Sequence, residues 1–99
     1  MAEVYQATLL INGLSPDDCY ARAMDIAPKV MTGFKVWKKR PTARLFGLQK
    51  NDDEFSTINF FMVAKENGTE IEVRFNTKKL TIEELKSFIS AFEDEMRKV

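Results

Sequence analysis

The chain has 99 residues, with 15 basic residues, 15 acidic residues and no histidine. Its length is typical of one domain, residues 1–99, and a hydrophobic content of 44% indicates a folded core rather than a disordered chain. No apolar run reaches the roughly 18 residues of a membrane span. The N-terminal residues show no basic segment followed by an apolar one, as a secretory signal would. We therefore predict a cytoplasmic protein that does not enter a membrane.

The residues that are absent exclude several enzyme classes. Without histidine, the chain lacks the commonest general base and metal ligand, and no Ser-His-Asp or Cys-His triad can form. A single cysteine, Cys19, excludes both an intrachain disulfide and a CxxC motif, and we expect it to be a small buried apolar group. Four widely spaced glycines rule out a phosphate-binding loop. We therefore predict no catalytic residue, metal or cofactor, and a protein that is not an enzyme.

The first third of the chain predicts a strand followed by a helix. Alternating side chains indicate a strand over residues 3–11, and Asn12 with Gly13 then turns the chain. Ser15 can cap a helix whose first residue is Pro16. Because Pro28 would clash with the preceding turn, we expect this helix to kink or end near residue 27.

From Gly33 onward the pattern has a period of two and predicts four strands with short connections. They cover residues 34–39, 43–50, 55–65 and 69–76. The strand at 55–65 has apolar residues on both faces, which favours a central position in the sheet. Thr81 and Glu84 then form a capping box that begins a final helix over residues 81–98.

The order β-α-β-β-β-β-α predicts an α+β fold with one antiparallel sheet of five strands and two helices on one of its faces. The first strand is expected to pair with the last. This order resembles the TATA-binding-protein-like and helix-grip architectures. The resemblance covers the topology of the whole chain and implies no functional residue, because one fold serves many functions.

A basic segment runs from Lys29 to Lys50, with seven basic residues and no acidic one. One interpretation is a solvated hairpin whose lysines protect an edge strand from aggregation. The other is a surface for a polyanion, including a nucleic acid, because cations interleaved with aromatic rings can contact phosphates and stack on bases. The residues predicted for such a surface are Lys35, Lys38, Lys39, Arg40, Arg44 and Lys50.

The second candidate site is the sheet face that two helices cannot cover. We expect it to carry the interface or ligand candidates Trp37, Phe46, Phe61, Val63, Glu72 and Arg74. Because a group of exposed aromatic residues usually marks an interface, and a twofold dimer is the commonest way to cover it, we predict a homodimer. The alternative is that Phe46 and Leu48 point inward, and the pattern of residues 43–50 leaves both placements open.

A third interpretation places an apolar ligand in a cavity between the last helix and the sheet. The predicted lining is Phe60, Met62, Phe75, Phe88, Phe92 and Met96, with Tyr5, Tyr20 and Cys19 as the nearest reactive groups. Large side chains there more often simply fill a core. The sequence therefore favours a non-enzymatic interaction or ligand-binding module that self-associates, with polyanion binding and apolar-ligand transport as alternatives.

Overall fold

Five strands and two α-helices make up residues 4–98, the part of the chain that the computed structural model describes. In chain order they are β1 (Val4–Asn12), α1 (Pro16–Val30), β2 (Phe34–Arg40), β3 (Leu45–Lys50), β4 (Asp53–Lys65), β5 (Gly68–Asn76) and α2 (Ile82–Met96). A short 3-10 helix, Pro41–Ala43, connects β2 to β3. This is the predicted order of elements.

The strands form one antiparallel sheet in the order β1-β5-β4-β3-β2. The predicted pairing of the first strand with the last is confirmed, because β1 and β5 stay in register from Val4–Asn76 to Asn12–Gly68. The strand β4 lies at the centre, as its apolar residues on both faces indicated. The predicted α+β fold is confirmed.

The hydrophobic core lies between the sheet and the two helices. Strands β4 and β5 place alternate side chains into it, including Ile58, Phe60 and Phe75, all fully buried. The buried residues of the helices are Cys19, Tyr20, Ala23 and Ala27 from α1, and Leu85, Phe92 and Met96 from α2. The helices thus cover one face of the sheet and leave the other uncovered.

We predicted a kink or an end of the first helix near residue 27; the end is wrong, since α1 continues to Val30, and the kink stays a prediction. Pro28 lies in the last turn, so its missing N–H removes one hydrogen bond, the one that the Met24 carbonyl would accept. The Met31 N–H donates to the carbonyl of Ala27 at 2.9 Å and closes the helix. At the other end, the Ser15 hydroxyl accepts a hydrogen bond from the Asp18 N–H, as predicted.

The predicted capping box of the last helix is confirmed. The Thr81 hydroxyl accepts from the Glu84 N–H at 3.2 Å, and the Glu84 carboxylate accepts from the Thr81 N–H at 2.9 Å. The helix itself is shorter than predicted, because α2 ends at Met96.

The pairing of β2 with β3 contains a β-bulge. The register steps from Val36–Leu48 to Lys38–Gly47, so that Trp37 has no partner of its own. One extra residue in a strand reverses the face of every side chain after it. In β2, the residues after Trp37 therefore lie on the faces opposite to those that simple alternation predicts.

Candidate binding face of the sheet

The uncovered side of the sheet, called the open face below, carries several large apolar side chains. Leu10 and Trp37 are each 48% exposed there, and Phe61 is 38% exposed. Val63 lies on the same face of β4 as Phe61 and is partly buried. Glu72 and Arg74 project from β5 beside them. Five of the six predicted interface residues therefore lie on the open face: Trp37, Phe61, Val63, Glu72 and Arg74.

The placement of Phe46 on the open face is wrong. Phe46 is 0% exposed and lies beneath the helices, where its ring stacks on Phe60 with 4.5 Å between centroids. The ring of Tyr20 meets it edge-on at 5.8 Å. Leu48 is buried on the same side, so the alternative with both residues inward is the observed one.

The predicted basic patch is divided between different parts of the surface. Lys35, Lys38 and Arg40 project from the open face. Lys39 pairs with Phe46 and Lys50 with Phe34, which places both lysines on the helix-covered side. The bulge at Trp37 is the reason that Lys39 lies there, so its predicted outward position is wrong.

Arg44 is separated from both groups. It has a φ of 52°, in the left-handed region, and its guanidinium donates to the Asp17 carboxylate of α1 at 3.0 Å. Lys50 is also paired, with Asp52. The six residues predicted to bind a polyanion therefore form no continuous surface, and that hypothesis loses the cluster on which it depended.

The indole ring of Trp37 lies against Gly47, a contact that no predicted pairing contained. A Cβ atom added to Gly47 would lie 3.0 Å from Trp37 Nε1 and 3.0 Å from Asn59 Oδ1. The Lys38 ammonium lies 5.5 Å from the centroid of the indole ring. The available signal was a glycine inside a strand, which often marks the close approach of another group.

A shallow cavity of about 300 Å³ opens at the centre of the open face. It is lined by Gln6, Lys38, Leu45, Asn59, Phe61, Glu72 and Arg74. The Arg74 guanidinium donates to the Gln6 side chain at 3.2 Å, whereas the buried Asn59 Oδ1 has no hydrogen-bond partner within residues 4–98. Gln6, Leu45 and Asn59 were not among the predicted residues. The signal that could have identified them was Asn59, the polar residue within the apolar stretch of β4 from Ile58 to Ala64.

The charges of the open face are arranged in two groups. Lys35, Lys38 and Arg40 make the β2 side basic, while Glu70 and Glu72 project from β5. Glu70 lies 3.6 Å from Lys65 within the chain. Within residues 4–98, Arg40 and Glu72 form no ion pair. The β2 side of the face is therefore basic, whereas the β5 side carries both signs of charge, because Arg74 lies there beside Glu70 and Glu72.

The side chains predicted to line an interior cavity pack against other rings. The centroids of Phe60 and Phe92 are 5.2 Å apart, and the rings of Phe34 and Phe88 meet edge-on at 6.2 Å. Such contacts are typical of a filled core.

The reactive groups predicted near this cavity are those of Tyr5, Tyr20 and Cys19, and each is held within the packed structure. The Tyr20 hydroxyl donates to the Leu45 carbonyl at 3.1 Å, and the Tyr5 ring packs at 6.0 Å from that of Phe75. Cys19 is fully buried, as expected, and burial raises the pKa of its thiol to about 11, although Arg22 acts in the opposite direction. The fraction of reactive thiolate near neutral pH is therefore very small.

Two further observations concern the described residues. No three side chains of Cys, Asp or Glu come together in residues 4–98 as a group that could hold a metal ion. In the same range, no helix has the length and apolar character needed to cross a membrane.

No family model matches the sequence, and no curated protein matches it. Solved structures do share its architecture. A crystal structure of Ara h 8.0201 superposes with a TM-score of 0.56 at 10% sequence identity, over 97% of this chain and 98% of that chain. A point mutant of norcoclaurine synthase from Thalictrum flavum, in complex with a transition-state analogue, gives a TM-score of 0.53 at 10% identity, over 97% of this chain and 94% of that chain. These neighbours are Bet v1-like proteins, and the similarity confirms the helix-grip architecture of the chain.

Proposed function

We propose that the chain is a non-enzymatic binding module that self-associates, with the open face of one copy covering the open face of a second. The observation that carries this proposal is the exposure of Trp37 and Phe61 on the sheet face that no helix covers. Contiguous exposed aromatic side chains on a small protein mark a surface that another molecule covers. We also propose a cytoplasmic location, which a single buried cysteine supports because the chain needs no oxidising compartment.

The size of the open face suits a dimer. Five strands spaced about 4.8 Å apart make a sheet about 24 Å wide, and the nine residues of β1 or β5 extend about 30 Å. Their product, about 700 Å², is close to the roughly 800 Å² that each partner buries in an interface of standard size. A second copy can therefore bury enough surface to form a stable complex.

The chemistry of the open face also suits a copy of itself. An interface core that combines apolar rings with a polar, charged rim is common in protein complexes. Here Phe61 is central, and the basic residues of β2 lie on the opposite side of it from Glu72. Each copy thus carries both basic and acidic side chains on this face, with Arg74 beside Glu72 on β5.

Sedimentation equilibrium over micromolar to submillimolar concentrations tests this proposal. We expect the wild-type chain to approach the mass of a dimer, and Phe61→Glu to remain a monomer because association would bury a carboxylate among apolar side chains. The matched control is Ile82→Glu on α2, because Ile82 is 40% exposed and Phe61 38%. This control should dimerise like the wild type. A wild-type chain that stays monomeric at every concentration would contradict the proposal.

Transport of an apolar ligand is a second candidate, favoured by the similarity to helix-grip proteins. It requires the rings of Phe46, Phe60 and Phe92 to separate, because they now fill the space between helices and sheet. Titration with a fluorescent fatty acid tests it. Saturable binding with one site per chain, retained in Phe61→Glu, would support an interior site, and the absence of saturable binding would dismiss this candidate.

A further inference from the structure

The cavity on the open face is lined by two adjacent rows of side chains that differ in character. In one row, Leu45 of β3 pairs with Phe61 of β4, which in turn pairs with Glu72 of β5. In the next row, Asn59 of β4 pairs with Arg74 of β5. All of these side chains line the cavity. The cavity therefore has an apolar wall, an acidic group beside that wall and a basic group one row away.

The charged groups of the cavity have no opposite charge to pair with in the chain. Within residues 4–98, Lys38, Glu72 and Arg74 take part in no ion pair. The Arg74 guanidinium donates instead to the neutral Gln6 side chain at 3.2 Å. Since a guanidinium has five N–H donors, others remain for a ligand. A molecule that brings one charge of each sign would therefore complete two ion pairs that the chain leaves unmade.

The spacing of these charges indicates how far apart the charges of the ligand are. Glu72 and Arg74 are two residues apart on the same face of β5, which places their Cα atoms about 7 Å apart. Their long side chains can converge on a molecule that carries an ammonium and a carboxylate close together, as an α-amino acid does on a single carbon atom. A carboxylate can also accept two parallel hydrogen bonds from a guanidinium, which fixes its orientation. Lys38 lines the cavity from β2 and supplies a second cation for that carboxylate.

The volume and the apolar wall of the cavity restrict the rest of the ligand. A volume of about 300 Å³ is the space of about ten water molecules and lies at the lower limit of small-molecule sites. Phe61 is 38% exposed and, together with Leu45, offers a surface on which an apolar side chain can pack. A single amino acid with a large apolar side chain has this size and this amphipathic character.

We infer that the cavity on the open face binds a free α-amino acid with an aromatic or large aliphatic side chain. That side chain lies on Leu45 and Phe61, the ammonium group lies against the Glu72 carboxylate, and the carboxylate lies against the Arg74 guanidinium. The inference goes beyond the proposed self-association, since either can hold without the other. It also makes no use of the space between helices and sheet, which packed rings fill.

Isothermal titration calorimetry with L-phenylalanine and two analogues tests the class of ligand. Phenethylamine lacks the carboxylate, and 3-phenylpropionate lacks the ammonium group. We expect L-phenylalanine to bind saturably at one site per chain. Each analogue should bind at least about tenfold more weakly, because each loses a charge-assisted hydrogen bond. An analogue that binds as tightly as L-phenylalanine would overturn the inference.

Two substitutions assign the charged contacts to their residues. Glu72→Gln should weaken the binding of L-phenylalanine at least about tenfold but should not weaken that of 3-phenylpropionate, which has no ammonium group. Arg74→Gln should likewise weaken L-phenylalanine but not phenethylamine. The matched control is Glu70→Gln, two residues away on the same face of β5 and outside the cavity lining, which should bind like the wild type. Unchanged binding of L-phenylalanine in Glu72→Gln or Arg74→Gln would overturn the inferred contacts.

A further variant separates this inference from self-association, because both use the open face. Val63→Lys places a charge on that face outside the cavity lining and opposes the formation of a dimer. Saturable binding of L-phenylalanine by the wild type or by this variant would support the inferred site. Its absence from both at concentrations up to about 10 mM would overturn the site. Neither result decides self-association, which the sedimentation experiment tests.

Discussion

The two faces of β4 have similar apolar residues but different surroundings. On the covered face, Ile58, Phe60 and Met62 are buried beneath the helices. On the open face, Phe61 is partly exposed, and its neighbour Asn59 has a buried oxygen with no hydrogen-bond partner among residues 4–98. The comparison shows that an apolar side chain on a central strand has two possible roles. It stabilises the folded chain where helices cover it, and it is available for a partner where they do not.

The largest expected difference between the faces comes from two adjacent phenylalanines. Phe60→Ala should lower the free energy of unfolding by about 3–5 kcal/mol, because it leaves a cavity among packed rings. Phe61→Ala should cost less than about 1 kcal/mol in the monomer, since its ring is already partly hydrated. Urea denaturation followed by circular dichroism at low protein concentration measures both. Equal losses of unfolding free energy in the two variants would contradict the different roles of the two faces.

A smaller effect is expected at high pH, where the buried thiol of the covered side titrates. The pKa of Cys19 is raised from its ordinary 9.0 to about 11 in the folded chain. Between these two values the unfolded chain loses the thiol proton while the folded chain keeps it, so stability falls as pH rises. Unfolding midpoints measured from pH 8.0 to pH 11 should therefore decline more steeply in the wild type than in Cys19→Ala. Parallel curves would show that the thiol does not contribute.

The smallest effect is expected on the open face, at Gly47. Gly47→Ala removes the backbone freedom of glycine, a gain of roughly 0.5–1 kcal/mol, but its methyl group would crowd Trp37 and Asn59 at 3.0 Å. The net change in stability should therefore be below about 1 kcal/mol, while the indole ring is displaced from the sheet. A red shift of the tryptophan emission at unchanged stability checks this. Leu48→Ala, on the covered side of the same strand, is the contrasting variant and should be strongly destabilising.

Most of the fold could be predicted because its local signals agree with one another. Alternation in β4 and β5 identified their inward residues, and the capping box of Thr81 and Glu84 fixed the start of α2. The short connections between the last four strands then left few possible topologies. The end of α1 was missed because the helix continues for two residues beyond Pro28, although Pro28 has no N–H to donate to the Met24 carbonyl.

The candidate site was predicted less completely, and the reason is one inserted residue. A bulge changes the face of the residues that follow it but leaves the composition of the strand unchanged, so the positions of Lys39 and Arg40 could not be read from the pattern. In β3, apolar residues occupy both alternating sets, which left Phe46 undecided. The cavity depends on the register between strands, which brings Gln6 and Asn59 into one row with Arg74. No local pattern contains that information.

The same bulge makes the two edge strands of the sheet differ in how easily they could pair with a strand of another molecule. The free margin of β2 is irregular at Trp37 and rich in lysine, and both features obstruct the addition of a strand from another molecule. The margin of β1 is regular over nine residues, but the Arg97 guanidinium donates to the Leu10 carbonyl at 2.9 Å and occupies one of its acceptors. A chain cut before Arg97 would lose that obstruction. Its expected failure is pairing of β1 with the β1 of a second copy, which stops at two copies because β2 remains closed and leaves no second edge for growth.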